Sequence, residues 1–405
     1  MTEPRLPDLP GSDERGDAPE QRATWTELFF DLVVVAGISK LADLLHDGPT
    51  WGDLGLYAVL YLAFWIVWSG FMIYGDVRAQ DARTWTMLRG MLGLAVLAAA
   101  VPEVQGDHAV AFIIVYVVLR AMAAQVWRRG TVVVDWPLAQ VGGGTTPWIV
   151  SLWVHTDARY WLWALGIAID LWILFSVSGA RVLARSTERL QQAVRRRGAP
   201  PEGSEPTIEA ARTNPEHVAE RLGLYVLIVL GEGVVLGIDA ASEVAWDRPV
   251  VASALGGFAV LVGLWWLSLT GGFAGVPQLR PGHLPLRRVM LLHALTTGVI
   301  AALAAGLGAA VLHAEDHLPP SARWLLCATI AAYAAIAAVS ALIADARTAE
   351  VTRWALPGLA IPLLLGAFGD HIDVGVLVWA LALTVGWTIY CTRPPGTRSA
   401  AAQAA

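Results

Sequence analysis

The feature that most limits how this chain can fold is its succession of long apolar segments separated by short polar ones. We identify twelve such segments between residues 27 and 391. Each is apolar over a length suited to crossing a hydrocarbon layer about 30 Å thick as an α-helix. Only 15% of the residues are charged, whereas a soluble domain averages about 25%. The sequence therefore predicts an all-α, polytopic membrane protein with about twelve transmembrane helices.

The predicted spans follow one another along nearly the whole chain. They cover residues 27–45, 54–74, 85–102, 108–127, 132–153, 159–182, 218–238, 250–270, 288–312, 321–344, 354–369 and 373–391. Residues 1–24 are rich in Pro and carboxylates, which is typical of a disordered tail, and residues 392–405 form a short C-terminal tail.

The distribution of basic residues sets the expected orientation. If the N-terminus lies in the cytoplasm, 22 of the 28 Lys and Arg residues fall in the predicted cytoplasmic segments. Three fall on the other side, Arg159, Arg248 and Arg323, and the remaining three lie within spans. Basic residues are enriched in the cytoplasmic loops of membrane proteins, so both termini and both tails are predicted to be cytoplasmic.

One long loop divides the chain into two parts. Residues 183–217 are basic, then rich in Pro and Gly, and are predicted to form a flexible cytoplasmic linker. It separates a first six-helix half, residues 25–182, from a second, residues 218–391. Weak similarities between spans at matching positions suggest an internal repeat, and chance similarity between apolar helices is the alternative.

Gly and Pro residues interrupt the predicted spans at matching positions of the two halves. The fifth span contains the run GGGTTP at residues 142–147, and the eleventh contains Pro357 and Pro362. Broken helices are tolerated in membranes where they line a cavity, and paired breaks are typical of transporter binding sites. The alternative is that these residues only allow neighbouring helices to pack closely.

Charged residues inside the spans are the first candidates for a functional site, because an ionised side chain at the bilayer centre costs at least about 2.5 kcal/mol. Glu232 lies within the seventh span and has apolar residues on both sides. Glu27 and Asp31 are four residues apart and share one helix face. A structural carboxylate that accepts hydrogen bonds from neighbouring helices is the alternative interpretation of Glu232.

A depth comparison suggests a partner for Glu232. Lys40 follows Glu27 by 13 residues, and Glu232 follows Glu220 by 12 residues, so the two lie at nearly the same depth. We predict that Lys40 and Glu232 face each other, or share water, in a polar centre between the halves. The alternative for Lys40 is a side chain that reaches outward to the membrane surface.

The candidate substrate- or ion-binding residues are the charged and His side chains of the spans. They are Glu27, Asp31, Lys40, Arg120, Asp170, Glu220, Arg221, Glu232 and His293. The sequence has no Walker loop, dinucleotide fingerprint, HExxH motif or Gly-x-Ser-x-Gly elbow. We therefore predict no catalytic residue, no metal, no cofactor and no nucleic-acid partner, and an enzymatic activity is less expected than transport.

Two segments, TELFFDLVVVAGISKLADLL and HVAERLGLYVLIVLGEGVV, resemble the signature segments of the bacterial low temperature requirement A (LtrA) family. The resemblance extends over roughly residues 20–390. It marks Glu27, Phe29, Phe30, Asp31, Glu220, Arg221, Gly223, Gly231 and Glu232, whereas Lys40 has no counterpart in the family pattern. The resemblance implies an integral inner-membrane protein named after a cold-growth phenotype, with no defined biochemical activity.

Three functions remain open at this point. The first is a secondary transporter, with or without proton coupling, whose partners are the lipid bilayer and an unknown small solute or ion. The second is a channel, which would give passive flux without coupling. The third is a membrane-embedded enzyme or accessory protein in envelope or cold adaptation. The sequence leaves the oligomeric state open.

Overall fold

The structure, a computed structural model, describes residues 24–46, 48–78, 84–125, 131–139, 142–177, 179–197 and 209–393. The predicted N-terminal and C-terminal tails lie almost entirely outside the described residues, as does the middle of the predicted linker.

The described part of the chain is mainly helical. Its α-helices are α1 Trp25–Asp43, α2 Trp51–Arg78, α3 Thr84–Ala99, α4 Ala109–Gln125, α5 Thr145–Val150, α6 Ala158–Ser176, α7 Gly179–Arg197, α8 Pro215–Ser242, α9 Arg248–Trp265, α10 Leu286–Leu312, α11 Pro320–Ile343, α12 Thr348–Phe368 and α13 Val374–Thr392. Strand β1 Thr131–Val133 pairs in parallel with β2 Glu209–Ala211, and β3 Gly272–Phe273 pairs antiparallel with β4 Val276–Pro277. Short 3₁₀ turns lie at Pro137–Ala139, Ser151–Trp153 and Gly369–His371, and a π-turn lies at Trp266–Thr270.

Eight of the described helices are long and apolar enough to cross a membrane: α2, α6 and α8 to α13. Helices α3 and α4 are apolar but shorter. This confirms a helical, multi-pass membrane protein, and it does not confirm the predicted number of about twelve helices. Helix α1 is 19 residues long and carries four charged residues, so its composition sets it apart from the eight.

The predicted fifth span is not a helix, which corrects the sequence analysis. Residues 131–139 form β1 and a 3₁₀ turn, and residues 142–153 contain the short α5 and a second 3₁₀ turn. Of the residues described between 131 and 153, only 145–150 are α-helical. The run of three Gly and a Pro explains this, because Gly lacks a Cβ to restrict the backbone and Pro lacks an amide hydrogen. The predicted sixth span also ends early, and α7 extends into the residues that we predicted to be a flexible linker.

The direction of α4 and α6 shows that the interrupted segment still traverses the bundle. The ring of Phe112 lies 6.0 Å from the ring of Trp163, and Arg120 donates a 2.9 Å hydrogen bond to Asp170. Residue numbers therefore rise in the same direction along both helices, so α4 and α6 run parallel. The chain between them must return from the end of α4 to the start of α6 without a continuous helix.

The predicted interruption of the eleventh span is wrong. Helix α12 runs from Thr348 to Phe368 with Pro357 and Pro362 inside it. A Cβ added at Gly358 would lie 3.1 Å from the Ala334 side chain, so this part of α12 packs closely on α11. The Gly and Pro residues of α12 therefore fit the alternative interpretation, in which they allow neighbouring helices to pack closely.

Corresponding helices contact each other in the two predicted halves. Helix α1 packs on α2 and α3 as α8 packs on α9 and α10, and α3 contacts α4 as α10 contacts α11. Likewise α2 contacts α6 as α9 contacts α13, and α5 contacts α6 as α12 contacts α13. Helices α1 and α2 also contact α8 and α10, so these four helices form the junction where the candidate site lies.

Candidate functional site

Arg221 joins α8 to α1 through a buried ion cluster. Its guanidinium group donates to both carboxylate oxygens of Asp31, from Nε at 3.0 Å and from Nη2 at 2.7 Å. Its Nη1 also lies 2.9 Å from Oε1 of Glu27. The Arg221 side chain is 0% exposed. Two-point pairing of a guanidinium with a carboxylate is among the strongest polar contacts in proteins, so this cluster fixes α8 against α1.

Local sequence explains how the two helices present these groups. Thr24 caps α1 and exchanges hydrogen bonds with Glu27, which holds that carboxylate over the first turn. Asp31 follows one turn later on the same face. Asn214 caps α8 and Pro215 occupies its first turn, a sequence typical of a helix start. Asp31 and Arg221 therefore both lie in the second turn of their helices, α1 and α8.

Gly75 of α2 makes room for the cluster. A Cβ added at Gly75 would lie 2.9 Å from Oε1 of Glu27, closer than such atoms approach in proteins. The backbone of α2 therefore borders the carboxylate of Glu27 directly.

Two further titratable groups lie beside the cluster. His217 precedes Arg221 by one turn, and its Nε2 lies 3.5 Å from Oε1 of Glu27. Asp76 of α2 is buried and accepts a 2.9 Å hydrogen bond from the backbone amide of Asn214, at the start of α8. The ion cluster thus comprises Glu27, Asp31, Asp76, His217 and Arg221. It contains three carboxylates and one permanent cation, so its charge depends on how many protons it holds.

Trp68 connects the ion cluster to an aromatic layer deeper in the bundle. Its indole N–H donates to Oδ1 of Asp31 at 2.7 Å. The Trp68 ring lies 4.2 Å from the ring of Tyr225 and stacks on His293 at 5.9 Å. The carboxylate of Asp31 is therefore satisfied on one side by Arg221 and on the other by this indole.

His293 is fully buried, and both of its ring nitrogens are engaged. Its Nδ1 accepts from the indole of Trp65 at 3.3 Å, and its Nε2 lies 3.0 Å from the carbonyl oxygen of Leu222. These partners assign the proton to Nε2 and keep the ring neutral. His293 was one of the candidate binding residues, and it lies among the aromatic rings of Trp65, Trp68 and Tyr225.

The predicted pairing of Lys40 with Glu232 is wrong. Lys40 forms an ion pair with Asp43 at 3.0 Å, and its side chain is 50% exposed. Glu232 is partly exposed and makes no hydrogen bond or ion pair with the described residues. Lys40 and Glu232 were predicted to pair because they lie at similar depths, but depth does not determine which face of a helix a residue occupies. Lys40 lies nine residues beyond Asp31, so it is about 180° around α1 from the face that contacts α8.

Glu220 and Arg221 do not form an interfacial pair. Arg221 points into the bundle, whereas the Glu220 side chain is 43% exposed and lies 3.9 Å from Nδ1 of His217. Adjacent helical residues diverge by about 100°, so only one of them can enter the cluster.

Arg120 and Asp170 form a second, separate buried pair. Nη2 of Arg120 donates to Oδ1 of Asp170 at 2.9 Å, between α4 and α6 of the first half. The structure therefore divides the predicted site residues into the ion cluster between α1 and α8, His293 in the aromatic layer, this inner pair, and the peripheral Lys40, Glu220 and Glu232.

Two members of the ion cluster, Asp76 and His217, and the neighbouring Trp68 were not among the residues predicted from the sequence. Asp76 lies beyond the end of the predicted second span, and His217 lies just before the predicted seventh span. Trp68 is one of many Trp residues in apolar segments, and its position alone did not mark it as part of the site. The spacing of His217 and Arg221, one turn apart, was a signal that could have linked His217 to the site.

A cavity of about 450 Å³ also borders the start of α8. Its lining combines polar and apolar residues, among them Asp135, Arg212, Thr213, Leu222 and Phe273. Leu222 also supplies the carbonyl that His293 contacts, so the cavity lies one residue layer from the aromatic layer. Within the described residues, no group of three or more His, Cys, Asp or Glu side chains is arranged to hold a metal ion.

Comparisons with known proteins agree with the resemblance seen in the sequence. The model of the family described as bacterial low temperature requirement A protein (LtrA) matches residues 22–391. An uncharacterised protein of Rhizobium meliloti (strain 1021) is 25% identical over 267 residues, which cover 62% of this chain and 59% of that protein. The match thus spans about three fifths of the length of this curated relative. No solved structure matches the chain.

Proposed function

The chain belongs to the bacterial low temperature requirement A family, and we propose that it is a proton-coupled secondary transporter of a small solute in the inner membrane. The observation that carries this proposal is the ion cluster at the junction of the halves. The cluster has more carboxylates than cations, so it should bind protons. Because it lies between the two proposed halves, the number of bound protons should affect how the halves contact each other.

The charge balance of the cluster supports proton coupling. With His217 neutral and all three carboxylates ionised, the five groups carry a formal charge of −2. A net charge in a buried site is unfavourable unless it is compensated, so the cluster should take up protons. Protonation of Asp31 would remove one charge of its pair with Arg221 and weaken the contact between α1 and α8.

Coupling requires that the cluster bind protons and that proton binding change the contact between the halves. A ligand or proton shifts a conformational equilibrium only if it binds one state better than the other. A proton on Asp31 favours separated halves, and the bare carboxylate favours halves joined by Arg221. In alternating access, one half moves against the other around a central site.

The arrangement of crossings fits this proposal. Helices α1 to α4, the interrupted segment 131–157, α6 and α8 to α13 would give twelve crossings in two halves of six. Both termini would lie in the cytoplasm, as the basic residues predict. The cavity beside Asp135, Arg212 and Thr213 would then open at the cytoplasmic end and admit solute toward His293.

A lipid-binding accessory protein is the second candidate, and one observation favours it. An apolar groove of about 860 Å³ lies between α2, α10 and α11, with Trp51 and Trp324 at one end. Its walls would suit a hydrocarbon chain. This function would not require the ion cluster to change its protonation.

Proton movement into reconstituted vesicles tests the proposal. Proteoliposomes that contain a pH-sensitive dye are given inward gradients of amino acids, organic acids, sugars, polyamines and inorganic cations, one at a time. We expect at least one solute to drive proton movement through the wild-type protein. Asp31→Asn should remove this response, and Lys40→Gln, at an exposed pair outside the cluster, should retain it.

The same vesicles distinguish the alternatives. Solute flux that is independent of an imposed pH gradient and unchanged in Asp31→Asn would indicate a channel. If no solute in the panel moves and phospholipid copurifies with the chain at a fixed ratio that groove-filling substitutions lower, the lipid-binding function replaces the transporter. His217→Gln serves as a second cluster variant should Asp31→Asn fail to fold.

A further inference from the structure

The cavity of about 450 Å³ beside the start of α8 is large enough to hold a small solute. Sites for small molecules usually measure about 300–1,000 Å³ and combine a mainly apolar lining with a few polar groups. Residues at three- and four-residue spacing share one face of a helix, and such a face of α8 forms an apolar wall of the cavity: Pro215, Val218, Ala219 and Leu222. Phe273 of β3 also lines it.

Two opposite charges line the same cavity. The parallel strands β1 and β2 place Val133 beside Ala211, and the amide of Val134 donates to the carbonyl oxygen of Ala211 at 3.1 Å. Asp135 and Arg212 follow the two strands directly. This register therefore brings both side chains to the cavity, although they are far apart in the chain.

The charged groups of Asp135 and Arg212 are available to a ligand. Asp135 uses only its Oδ2, which lies 3.3 Å from the amide and 3.5 Å from the hydroxyl of Thr213. Arg212 is exposed. Within the described residues, Oδ1 of Asp135 and the guanidinium of Arg212 have no hydrogen-bond or ion-pair partner, and the two side chains do not pair with each other.

We propose that this cavity binds a small amphipathic zwitterion, namely a neutral amino acid with an apolar side chain. Its carboxylate would bind Arg212, its ammonium group would bind Oδ1 of Asp135, and its side chain would contact the apolar wall of α8. The two protein charges cancel, so a ligand without net charge leaves no charge uncompensated. That this class is the transported solute rests on the proposed function, whereas the binding itself does not.

One short segment connects the cavity to the ion cluster. The amide of Thr213 donates to Asp135 at 3.3 Å, and the next amide, of Asn214, donates to Asp76 at 2.9 Å. A carboxylate of the cavity and a carboxylate of the ion cluster therefore hold adjacent residues at the start of α8. An ammonium group bound to Asp135 would lie beside the segment through which Asp76 contacts α8.

Binding of radiolabelled L-leucine to the full-length protein in nanodiscs, without any gradient, tests the inference. We expect saturable binding to the wild type. Isocaproate lacks the ammonium group, isoamylamine lacks the carboxylate, and glycine lacks the apolar side chain. Each should compete for the site at least about tenfold more weakly than L-leucine, because each loses one set of contacts.

Three substitutions locate the bound L-leucine. Arg212→Gln and Asp135→Asn each remove one charge and keep a polar side chain, so each should weaken binding roughly tenfold or more. Ala219→Phe places a ring in the cavity and should abolish binding. It alters neither charge, so it keeps the test decisive if Asp135→Asn fails to fold. Arg280→Gln is the matched control, because Arg280 is exposed and lies outside the cavity lining, and it should bind L-leucine as the wild type does.

Three outcomes would overturn the inference. One is that the wild type binds neither L-leucine nor L-valine nor L-phenylalanine. Another is that L-leucine binding is unchanged in Arg212→Gln, Asp135→Asn and Ala219→Phe, which would place it elsewhere. The third is that isocaproate or isoamylamine binds as tightly as L-leucine, which would exclude a zwitterion.

A comparison of binding with proton movement separates this inference from the proposed function. Asp31→Asn should bind L-leucine as the wild type does and show no leucine-driven proton movement. L-leucine that binds in the cavity of the wild type but drives no proton movement would contradict the proposed transport and support the binding site. Proton movement driven by another solute, without L-leucine binding, would overturn the binding site and support the transporter.

Discussion

Arg221 of α8 binds Asp31 of α1 through two hydrogen bonds, of 2.7 and 3.0 Å, although the two residues are 190 positions apart in the chain. Neither side chain is exposed. The pair connects α1 to α8, and Glu27 extends it with a 2.9 Å contact to the same guanidinium group.

Removal of the guanidinium should strongly destabilise the fold. Arg221→Met leaves Glu27 and Asp31 buried without their cation, and such a loss costs about 3–5 kcal/mol. Unfolding by denaturant in detergent micelles measures the change. The double variant Arg221→Met with Asp31→Leu should recover part of the lost stability, because it replaces the pair with apolar groups. A loss below about 1 kcal/mol in the single variant would contradict this account.

Gly75 should tolerate no side chain. Gly75→Ala places a Cβ against Oε1 of Glu27, at 2.9 Å before relaxation, and should destabilise the protein by about 1–3 kcal/mol. Gly55 of the same helix is the control, because a Cβ there meets no atom within 4 Å. Gly55→Ala should be neutral or stabilising by up to about 1 kcal/mol, since Ala favours helix more than Gly. Equal effects of the two substitutions would count against the geometry at Glu27.

The indole of Trp68 should contribute through its N–H as well as its ring. Trp68→Phe keeps an aromatic ring beside His293 and Tyr225 but loses the 2.7 Å hydrogen bond to Asp31. A hydrogen bond to a charged group contributes about 1.5–3 kcal/mol, so we expect a loss of at least this size. Trp379→Phe is the control, because the exposed Trp379 indole donates only to the backbone carbonyl of Ala252. If Trp379→Phe lost more stability than Trp68→Phe, the hydrogen bond from Trp68 to Asp31 would not be a main contribution to stability.

Lys40 and Glu232 should behave as independent residues. The Lys40 pair with Asp43 is exposed, and such pairs contribute at most about 1 kcal/mol. A double-mutant cycle of Lys40→Gln and Glu232→Gln, measured by denaturant unfolding, should give a coupling energy below about 0.5 kcal/mol. A coupling energy above this level would restore the pairing that the sequence analysis proposed.

The sequence predicted the helices well wherever length and apolar character determine them. The span predicted at 288–312 became α10, Leu286–Leu312, and that predicted at 321–344 became α11, Pro320–Ile343. The prediction of a helix at the fifth span was wrong because an apolar composition indicates burial and does not by itself specify a helix. The Gly and Pro residues of this span favoured an interruption. That interruption was expected, but its extent was not.

The candidate site was predicted in its residue types and not in its pairings. Glu27, Asp31 and Arg221 were selected as charged residues in spans, and the structure brings them together. Their pairing depends on how α1 and α8 are rotated against each other, and rotation is set by packing that one sequence does not reveal. Glu232 lies 11 residues beyond Arg221, about 16 Å along α8, so it cannot reach the cluster through its own helix.

The most direct test of the account is the solute-driven movement of protons into dye-loaded proteoliposomes, compared between the wild type and Asp31→Asn. We predict proton movement with at least one solute in the wild type and in Lys40→Gln, and none in a folded Asp31→Asn protein. Proton movement of equal size in Asp31→Asn would contradict the claim that the Asp31–Arg221 contact couples the two halves to protons.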